Sequence, residues 1–295
     1  MNHISKFIEY IDSVKRYSSL TVKSYVSDLN QFEKFLLLNL DLTLKDVKTQ
    51  NIKAWISHLV SKGYDKNSVN RKLSVLRRYY RFQNNNNFFK GNPTKNIISL
   101  KTKKKIPEFA SKEDLNKLFD NNFFLEGYIG ERDKTILQMF YYTGMRLSEL
   151  INLEVNDISF YQKYIKVTGK RDKQRLIPLL DSHLNDLKKF ISVRNDNFKN
   201  NSQYLFLNHN GKKLYPKLVY RIVKLYISKV STITKKSPHT LRHAFATHLL
   251  NEGADLMAIK EILGHSSLNS TQIYTHTSYE NLKKVYNLSH PRGSE

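Results

Sequence analysis

Apolar residues recur every three or four positions through most of the first hundred residues, which is the spacing of amphipathic helices. The stretches that show it are residues 4–14, residues 21–38, a segment from Thr43 to Gly63, and residues 65–80. Thr43 and Asp65 are predicted to cap the last two helices, and Gly63 is predicted to end the first of those two. We therefore expect about four helices and no strand in this part of the chain.

The pattern changes in the second part of the chain. Helical spacing occurs after Ser111, near the C-terminus, and at residues 128–142, 181–194, 216–230, 238–251 and 255–263. Between these stretches, residues 157–160, 164–167 and 174–178 alternate in polarity and are separated by turn residues. That alternation predicts a small antiparallel sheet among helices.

Residues 101–107 divide the two patterns. Four lysines precede Pro107 there, and such a segment is neither buried nor helical throughout. The sequence therefore predicts a helical domain over residues 1–100, a linker over 101–107, and a mixed domain over 108–295.

Composition excludes several classes of protein. The chain has 295 residues, of which 40% are hydrophobic, and this is enough for two packed domains. It contains no cysteine, which excludes disulfide scaffolds and cysteine-ligated zinc or iron–sulfur sites. Residues 1–20 mix charges with apolar residues, unlike a signal peptide or a membrane span. We therefore expect a cytoplasmic protein without a membrane partner.

The charge points to a polyanionic partner. Forty-nine Lys and Arg residues against 26 Asp and Glu residues give a net charge of +23, and both halves of the chain are basic. A lysine-rich coding bias explains part of this excess but not the shortage of acidic residues, and nucleic acid is the commonest polyanion that binds such chains. The predicted helix that Asp65 caps carries five basic side chains, which form either a solvated face or a DNA-facing one. These are Arg71, Lys72, Arg77, Arg78 and Arg81.

Four segments contain Arg, Lys, His or Tyr residues in arrangements typical of catalytic or binding sites. They are residues 143–150, 169–173, 238–243 and 263–276. His239 and His243 have the i, i+4 spacing of a helical zinc pair, but Thr240 stands where a metalloprotease has its Glu base. Gly169-Lys170 lacks the upstream glycine of a Walker loop, and the serines lack a nucleophile-elbow context. Hydrolytic zinc chemistry and ATP use are therefore not expected.

Together the four segments resemble the tyrosine recombinases, and most closely the Xer recombinases of bacterial chromosomes. The words Thr-Gly-Met-Arg-Leu-Ser-Glu-Leu, Leu-Gly-His-Ser-Ser and Thr-Gln-Ile-Tyr-Thr-His match that family, and the resemblance covers nearly the whole chain. The family signature falls, in its usual order, on Arg146, Lys170, His239, Arg242, His265 and Tyr274. Lys173 lies on the same turn as Lys170 and is an alternative to it.

The resemblance implies a mainly α-helical protein. A four-helix SAM-like domain that binds core DNA would precede an α+β catalytic domain with a small antiparallel sheet. The implied activity is site-specific recombination of DNA, in which Tyr274 forms a 3′-phosphotyrosine without ATP, metal or another cofactor. The implied phosphate ligands are Arg146 and Arg242, with Glu149 expected to orient one of the basic groups.

The resemblance also assigns the remaining signature residues. Lys170 would be the general acid, His239 the base or hydrogen-bond partner of the tyrosine, and His265 a group that binds and positions the phosphate.

The resemblance further implies double-stranded DNA as the substrate and a tetramer formed with the same chain or with a paralogous recombinase. The apolar face of the terminal helix, residues 279–288, would dock onto a neighbouring protomer or, alternatively, onto its own domain. A septal DNA translocase would activate an enzyme that resolves chromosome dimers at cell division. The alternatives are an integrase or invertase of a mobile element, a type IB topoisomerase, and a non-enzymatic DNA-binding regulator on the same fold.

Overall fold

A computed structural model describes residues 3–102, 108–120, 123–169, 172–199, 202–264 and 276–290, with only the backbone given at 276–281 and 284. The chain forms two compact units, Met1–Lys105 and Ile106–Glu295, which we call unit 1 and unit 2. Residues 103–107 of the predicted linker lie outside the described residues.

Unit 1 is helical throughout its described residues, as the spacing of its apolar residues predicts. Its helices are α1 (His3–Glu9, continued by a π-helical turn to Val14), α2 (Ser19–Leu40), α3 (Thr49–Ser61) and α4 (Lys66–Asn85). Each helix turns an apolar stripe to one core centred on Phe32, Trp55 and Tyr79, which are almost fully buried.

One predicted cap in unit 1 is right and one is wrong. Asp65 caps α4 by accepting a hydrogen bond from the Asn67 amide at 2.8 Å, as expected. Thr43 does not cap α3, because its hydroxyl donates to Asp46 within a separate turn at 2.5 Å. The helix begins six residues later, at Thr49.

Unit 2 consists of helices and a three-stranded antiparallel sheet. Its strands are β1 (Ile158–Ser159), β2 (Tyr164–Thr168) and β3 (Gln174–Pro178), in the order β1-β2-β3. Its helices are α5 (Lys112–Asp120), α6 (Gly127–Thr143), α7 (Leu147–Asn152), α8 (Asp181–Asn197), α9 (Pro216–Val230), α10 (Pro238–Asn251), α11 (Leu256–Leu263) and α12 (His276–Ser289). Helix α6 is buried nearly all round, so it forms the centre of this unit.

The terminal helix α12 packs on its own unit. Leu282 and Tyr286 are buried, and the Tyr286 hydroxyl donates to the Tyr142 carbonyl at 2.7 Å. Docking of this helix onto a neighbouring protomer stays a prediction. Among the described helices of the chain, none is both long and apolar enough to cross a lipid bilayer.

Candidate active site

The site begins where helix α6 ends. Gly144 follows α6 with a φ of 58°, in the left-handed region that favours glycine. A Cβ at this position would lie 2.3 Å from Cδ1 of Phe245 and 2.8 Å from Cδ2 of Leu263. Two constraints therefore require glycine at this position: the left-handed backbone of the turn, and the close approach of side chains from α10 and α11. Arg146 follows this turn two residues later.

Arg146 is held by a buried carboxylate. Its backbone amide and its Nη1 donate to Oε2 and Oε1 of Glu149 at 2.7 and 2.8 Å, which closes the first turn of α7. Its Nη2 donates to the Gly264 carbonyl at 2.8 Å. The Glu149 side chain is 1% exposed, whereas that of Arg146 is 34% exposed. The expectation that Glu149 orients a basic group is confirmed, and the oriented guanidinium reaches the surface.

Arg242 approaches the same place from α10. Its guanidinium donates to the Gly144 carbonyl through Nη1 and to the Leu263 carbonyl through Nη2, the latter at 2.6 Å. Burial, together with the positive charges of Arg146 and Arg175, lowers the pKa of Arg242 to about 10. The group stays protonated at neutral pH, so two guanidinium charges share one site, an arrangement that favours an anionic ligand.

The turn between β2 and β3 lies against this pair. The amide of Gly169 donates to the Lys173 carbonyl at 2.8 Å, and a Cβ on Gly169 would lie 3.4 Å from Oε1 of Glu149 and 3.8 Å from Nη1 of Arg146. The chain at Gly169 therefore lies beside Glu149 and Arg146, and Lys170 is the next residue in the sequence. Lys170 itself lies outside the described residues, and Lys173 is exposed.

His239 is exposed in the first turn of α10, one turn before Arg242 on the same face. His243 is half-buried and its ring contacts Phe109 edge-on, with 5.5 Å between the ring centroids. No group of three side chains suited to holding a metal ion occurs in the described part of the chain. The predicted His265 and Tyr274 lie outside that part, and Gly264, the last described residue before them, immediately precedes His265.

Sequence reasoning missed Arg175. This residue of β3 is 5% exposed, and its Nη1 and Nη2 donate to Oε1 and Oε2 of Glu149 at 2.8 and 2.9 Å. Its Nε donates to the Ile262 carbonyl at 2.6 Å. The available signal was its position in an alternating strand, where it shares the inward face with Ile177 and must therefore have a buried partner.

The five basic residues of α4 have different surroundings. Lys72 is buried, and its ammonium donates to Asp28 at 2.7 Å and to Gln31 at 2.6 Å. Arg71 also binds Asp28, and it donates to Ser24 at 2.7 Å. The Lys72 ammonium is therefore directed into unit 1, towards α2.

The other three basic residues lie further along α4. Arg77 donates to the Ile97 carbonyl at 2.5 Å and to the hydroxyl of Ser99 at 3.1 Å, so it ties α4 to the following segment. Arg78 is exposed above the Tyr17 ring, 5.5 Å from its centroid, and Arg81 is exposed one turn later.

Known families and relatives match this chain along nearly its full length. Residues 108–281 match the phage integrase family, and residues 4–86 match the N-terminal SAM-like domain of phage integrases. The tyrosine recombinase XerC of Thermodesulfovibrio yellowstonii is 37% identical over 298 residues, which cover 99% of this chain and 97% of the relative. The tyrosine recombinase XerC of Chlorobaculum parvum is 35% identical over 315 residues, which cover 98% and 94%.

A solved structure confirms the predicted fold class. The XerH site-specific recombinase, in a post-cleavage complex with a palindromic difH substrate, has a TM-score of 0.74 and 23% identity over 95% of this chain and 82% of that one. The non-enzymatic alternative does not fit relatives that are recombinases along almost the whole chain. The chain belongs to the phage integrase family and is a tyrosine recombinase, an enzyme of site-specific DNA recombination.

Proposed function

We propose that Arg146 and Arg242 bind the reacting phosphate of DNA and that Tyr274 attacks it. One observation carries this proposal: both guanidiniums converge on the end of α11, where Gly264 and Leu263 accept hydrogen bonds from them at 2.8 and 2.6 Å. The next residue in the chain is His265, and Tyr274 follows nine positions later. The phosphate ligands are thus anchored to the start of the segment that bears the nucleophile.

The proposed reaction is a transesterification. The Tyr274 hydroxyl oxygen attacks phosphorus and passes its proton to His239, while the bond from phosphorus to the 5′ oxygen breaks and Lys170 protonates the leaving oxygen. Arg146 and Arg242 offset the charge that develops on the non-bridging oxygens, because guanidinium is planar, permanently charged and matched to phosphate. A 5′-hydroxyl of another strand reverses the step and joins the DNA in a new connection.

His265 completes the proposed set as a group that binds and positions the phosphate. It is the residue after Gly264, whose carbonyl accepts a hydrogen bond from Arg146, and this adjacency in the sequence supports the proposal. A free tyrosine has a pKa of about 10, so a strongly positive surrounding helps Tyr274 to react at neutral pH.

Unit 1 is proposed to grip the DNA backbone through the exposed face of α4. Exposed positions recur on this helix at residues 71, 74, 78, 81 and 85, which is one helical face. Arg78 and Arg81 on that face are the proposed phosphate contacts. Lys72 is left out of this set because its ammonium is paired inside the unit, and Arg71 and Arg77 already hold internal partners.

The proposed cellular role is resolution of chromosome dimers in the cytoplasm. A synaptic tetramer, formed with the same chain or a paralogous recombinase, would hold two DNA duplexes, and a septal DNA translocase would activate it. Deletion of the gene should leave unresolved chromosome dimers in dividing cells. Dividing cells without such dimers, and a gene that lies within a mobile element, would instead indicate an integrase or invertase.

The chemistry is tested with a nicked DNA duplex that traps the covalent intermediate. The wild-type protein should form a covalent protein–DNA adduct in the presence of a chelator and without ATP, and Tyr274→Phe should form none because it lacks the attacking oxygen. Tyr279→Phe, five residues later, is the matched control and should still form the adduct. An adduct that persists in Tyr274→Phe contradicts the assignment of the nucleophile.

A further inference from the structure

Three arginines bind three successive carbonyls at the end of helix α11. The carbonyl of Ile262 accepts from Arg175 at 2.6 Å, and the next two carbonyls accept from Arg242 and Arg146. The last carbonyls of a helix have no partner within the helix, and the negative end of the helix dipole attracts cations. This three-arginine clasp, formed by Arg146, Arg175 and Arg242, therefore fixes the point from which the chain continues to His265.

Arg175 is the member of the clasp that faces inwards. Three of its N–H groups are used, two in a bidentate pair with Glu149 and one on the Ile262 carbonyl. A Cβ on Gly264 would lie 3.1 Å from both Cδ and Nη1 of Arg175, so the guanidinium lies directly against the chain at the end of α11. Lysine has no planar fork and cannot make these three bonds together.

Glu149 connects Arg175 to the surface. Its Oε1 accepts hydrogen bonds from Nη1 of Arg175 and Nη1 of Arg146, both at 2.8 Å. Its Oε2 accepts from Nη2 of Arg175 and from the Arg146 amide. A change at Arg175 would therefore reach Arg146 through a single shared carboxylate.

We infer that Arg175 is a positioning residue of the recombination site. Through Glu149 and the Ile262 carbonyl, it fixes the Arg146 guanidinium relative to the segment that bears Tyr274. The inference rests on the proposed roles of Arg146 and Tyr274. It predicts that Arg175 governs the rate of strand cleavage and leaves DNA affinity unaltered.

The charge of Arg175 also keeps Glu149 ionised. Burial alone would raise the pKa of Glu149, but the hydrogen bonds and charge of Arg175, followed by those of Arg146, hold it at about 2. Among the described residues, the charged groups that face this carboxylate are Arg146 from α7, Arg175 from β3 and Arg242 from α10. Without Arg175, burial is less opposed and the pKa of Glu149 rises, so that acid protonates the carboxyl and releases Arg146.

The test compares Arg175→Gln with a matched control, Arg194→Gln. Arg194 is also a buried arginine of unit 2, 3% exposed, and it donates to the carbonyls of Ser202 and Tyr204, neither of which accepts a hydrogen bond from the clasp. Single-turnover formation of the covalent adduct on the nicked duplex is measured from about pH 5.5 to 8.5, together with DNA affinity. Arg175→Gln should slow adduct formation by about 10²-fold at neutral pH, because a small misplacement of a catalytic group has such an effect.

The pH profile separates positioning from general destabilisation. As the pH falls, Arg175→Gln should show an acid limb, which is a loss of rate beyond that of the wild-type protein and Arg194→Gln, and these two should share one profile. Adding Glu149→Gln to Arg175→Gln should remove this acid limb, because the titrating group is gone. Arg175→Lys retains the charge, so it should flatten the acid limb without restoring the full rate, and it keeps the test usable if Arg175→Gln does not fold.

Two outcomes overturn the inference. The first is that Arg175→Gln and Arg175→Lys form the adduct at the wild-type rate with the wild-type pH dependence. The second is that a loss of DNA affinity accounts for the whole loss of rate. Absence of an adduct in the wild-type protein would instead contradict the proposed function, so the two failures are distinguishable.

Discussion

Each unit contains a buried carboxylate that binds two cationic side chains, one buried and one more exposed. We call the more exposed one the outer cation, and the two clusters differ in the further hydrogen-bond partners of their cations. In unit 1 the Asp28 cluster comprises Asp28, Arg71 and Lys72, and it ties α2 to α4. In unit 2 the Glu149 cluster comprises Glu149, Arg146 and Arg175, and it ties α7 to β3. The outer cation is Arg71 in the first cluster, with 50% of its side chain exposed, and Arg146 in the second, with 34%.

The difference lies in the further partners of these cations. Arg71 and Lys72 donate onward to Ser24 and Gln31, side chains of the same helix α2 that provides Asp28. Arg146 and Arg175 donate onward to backbone carbonyls at the end of α11, which leads to Tyr274. Burying an ion pair costs several kcal/mol of desolvation, which good geometry only offsets. A carboxylate and two cations thus join two helices in unit 1. In unit 2 a carboxylate and two guanidiniums also hold Arg146, the proposed phosphate ligand, at the end of α11, from which the chain continues to the proposed nucleophile Tyr274.

The largest effect is expected from removing the outer cation of each cluster. Arg146→Ala should lower the rate of covalent adduct formation by about 10²–10³-fold, because the charge that develops on the phosphate loses a preorganised donor. Arg71→Ala should leave the single-turnover rate close to that of the wild-type protein once DNA is saturating. Equal losses of rate in the two variants would remove the distinction between the clusters.

A buried histidine should make the stability of unit 2 sensitive to acid, which provides a second comparison with unit 1. His183 is fully buried in unit 2, and burial lowers its pKa to about 3. The unfolded chain binds a proton at this residue below about pH 6.5 and the folded unit does not, so stability falls as the pH drops from 6.5 towards 3. Between pH 7 and 5 His183 alone should contribute a loss of about 2 kcal/mol in the free energy of unfolding of unit 2, and His183→Leu should remove that contribution.

The single tryptophan makes this measurement specific to each unit. Trp55 is buried in unit 1, so its fluorescence follows the unfolding of that unit, whereas far-UV circular dichroism follows both units. Urea unfolding at the two pH values should show that the change caused by His183→Leu appears in circular dichroism and is absent from Trp55 fluorescence. A shift of the Trp55 transition by this variant would contradict an effect confined to unit 2.

The smallest effect concerns DNA affinity. Arg78→Ala should weaken binding to all sequences alike and reduce the slope of log K against log salt by about 1, because one phosphate contact is lost. Lys72→Met should reduce the stability of unit 1 and leave the salt slope unchanged, since its ammonium is paired with Asp28. Titrations of one labelled duplex at several salt concentrations measure both, and a lower slope in Lys72→Met would place that ammonium on the DNA.

The features that local sequence determines were predictable. The alternation around Ile165 and Ile177 places these two residues opposite each other in the sheet, with both side chains buried. Gly144 ends α6 as expected, because a left-handed residue there is a local requirement. The cap at Thr43 was wrong because its hydroxyl bonds within an intervening turn, and residue type alone did not reveal that turn.

The partners of buried charges were not predictable in the same way. Lys72 follows Val69 by three residues and precedes Leu76 by four, so it falls within the apolar stripe of α4. Its burial is explained by Asp28 and Gln31, which are 44 and 41 residues away in the chain. Arg175 and Glu149 are 26 residues apart and meet through the fold. The resemblance drew attention to Arg146 and Arg242 as candidate site residues, whereas Arg175 was recognised only through its contacts with Glu149 and Ile262.

The proposed action of Arg146 on the charge of the reacting phosphate can be measured on DNA whose scissile phosphate is replaced by a neutral methylphosphonate. Replacing one charged non-bridging oxygen removes the charge that the guanidinium offsets, so Arg146→Ala should cleave this substrate at nearly the wild-type rate. On ordinary DNA, measured in parallel, the same variant should retain its deficit of about 10²-fold or more. An equal deficit on both substrates would contradict the account, because Arg146 would then act on something other than the phosphate charge.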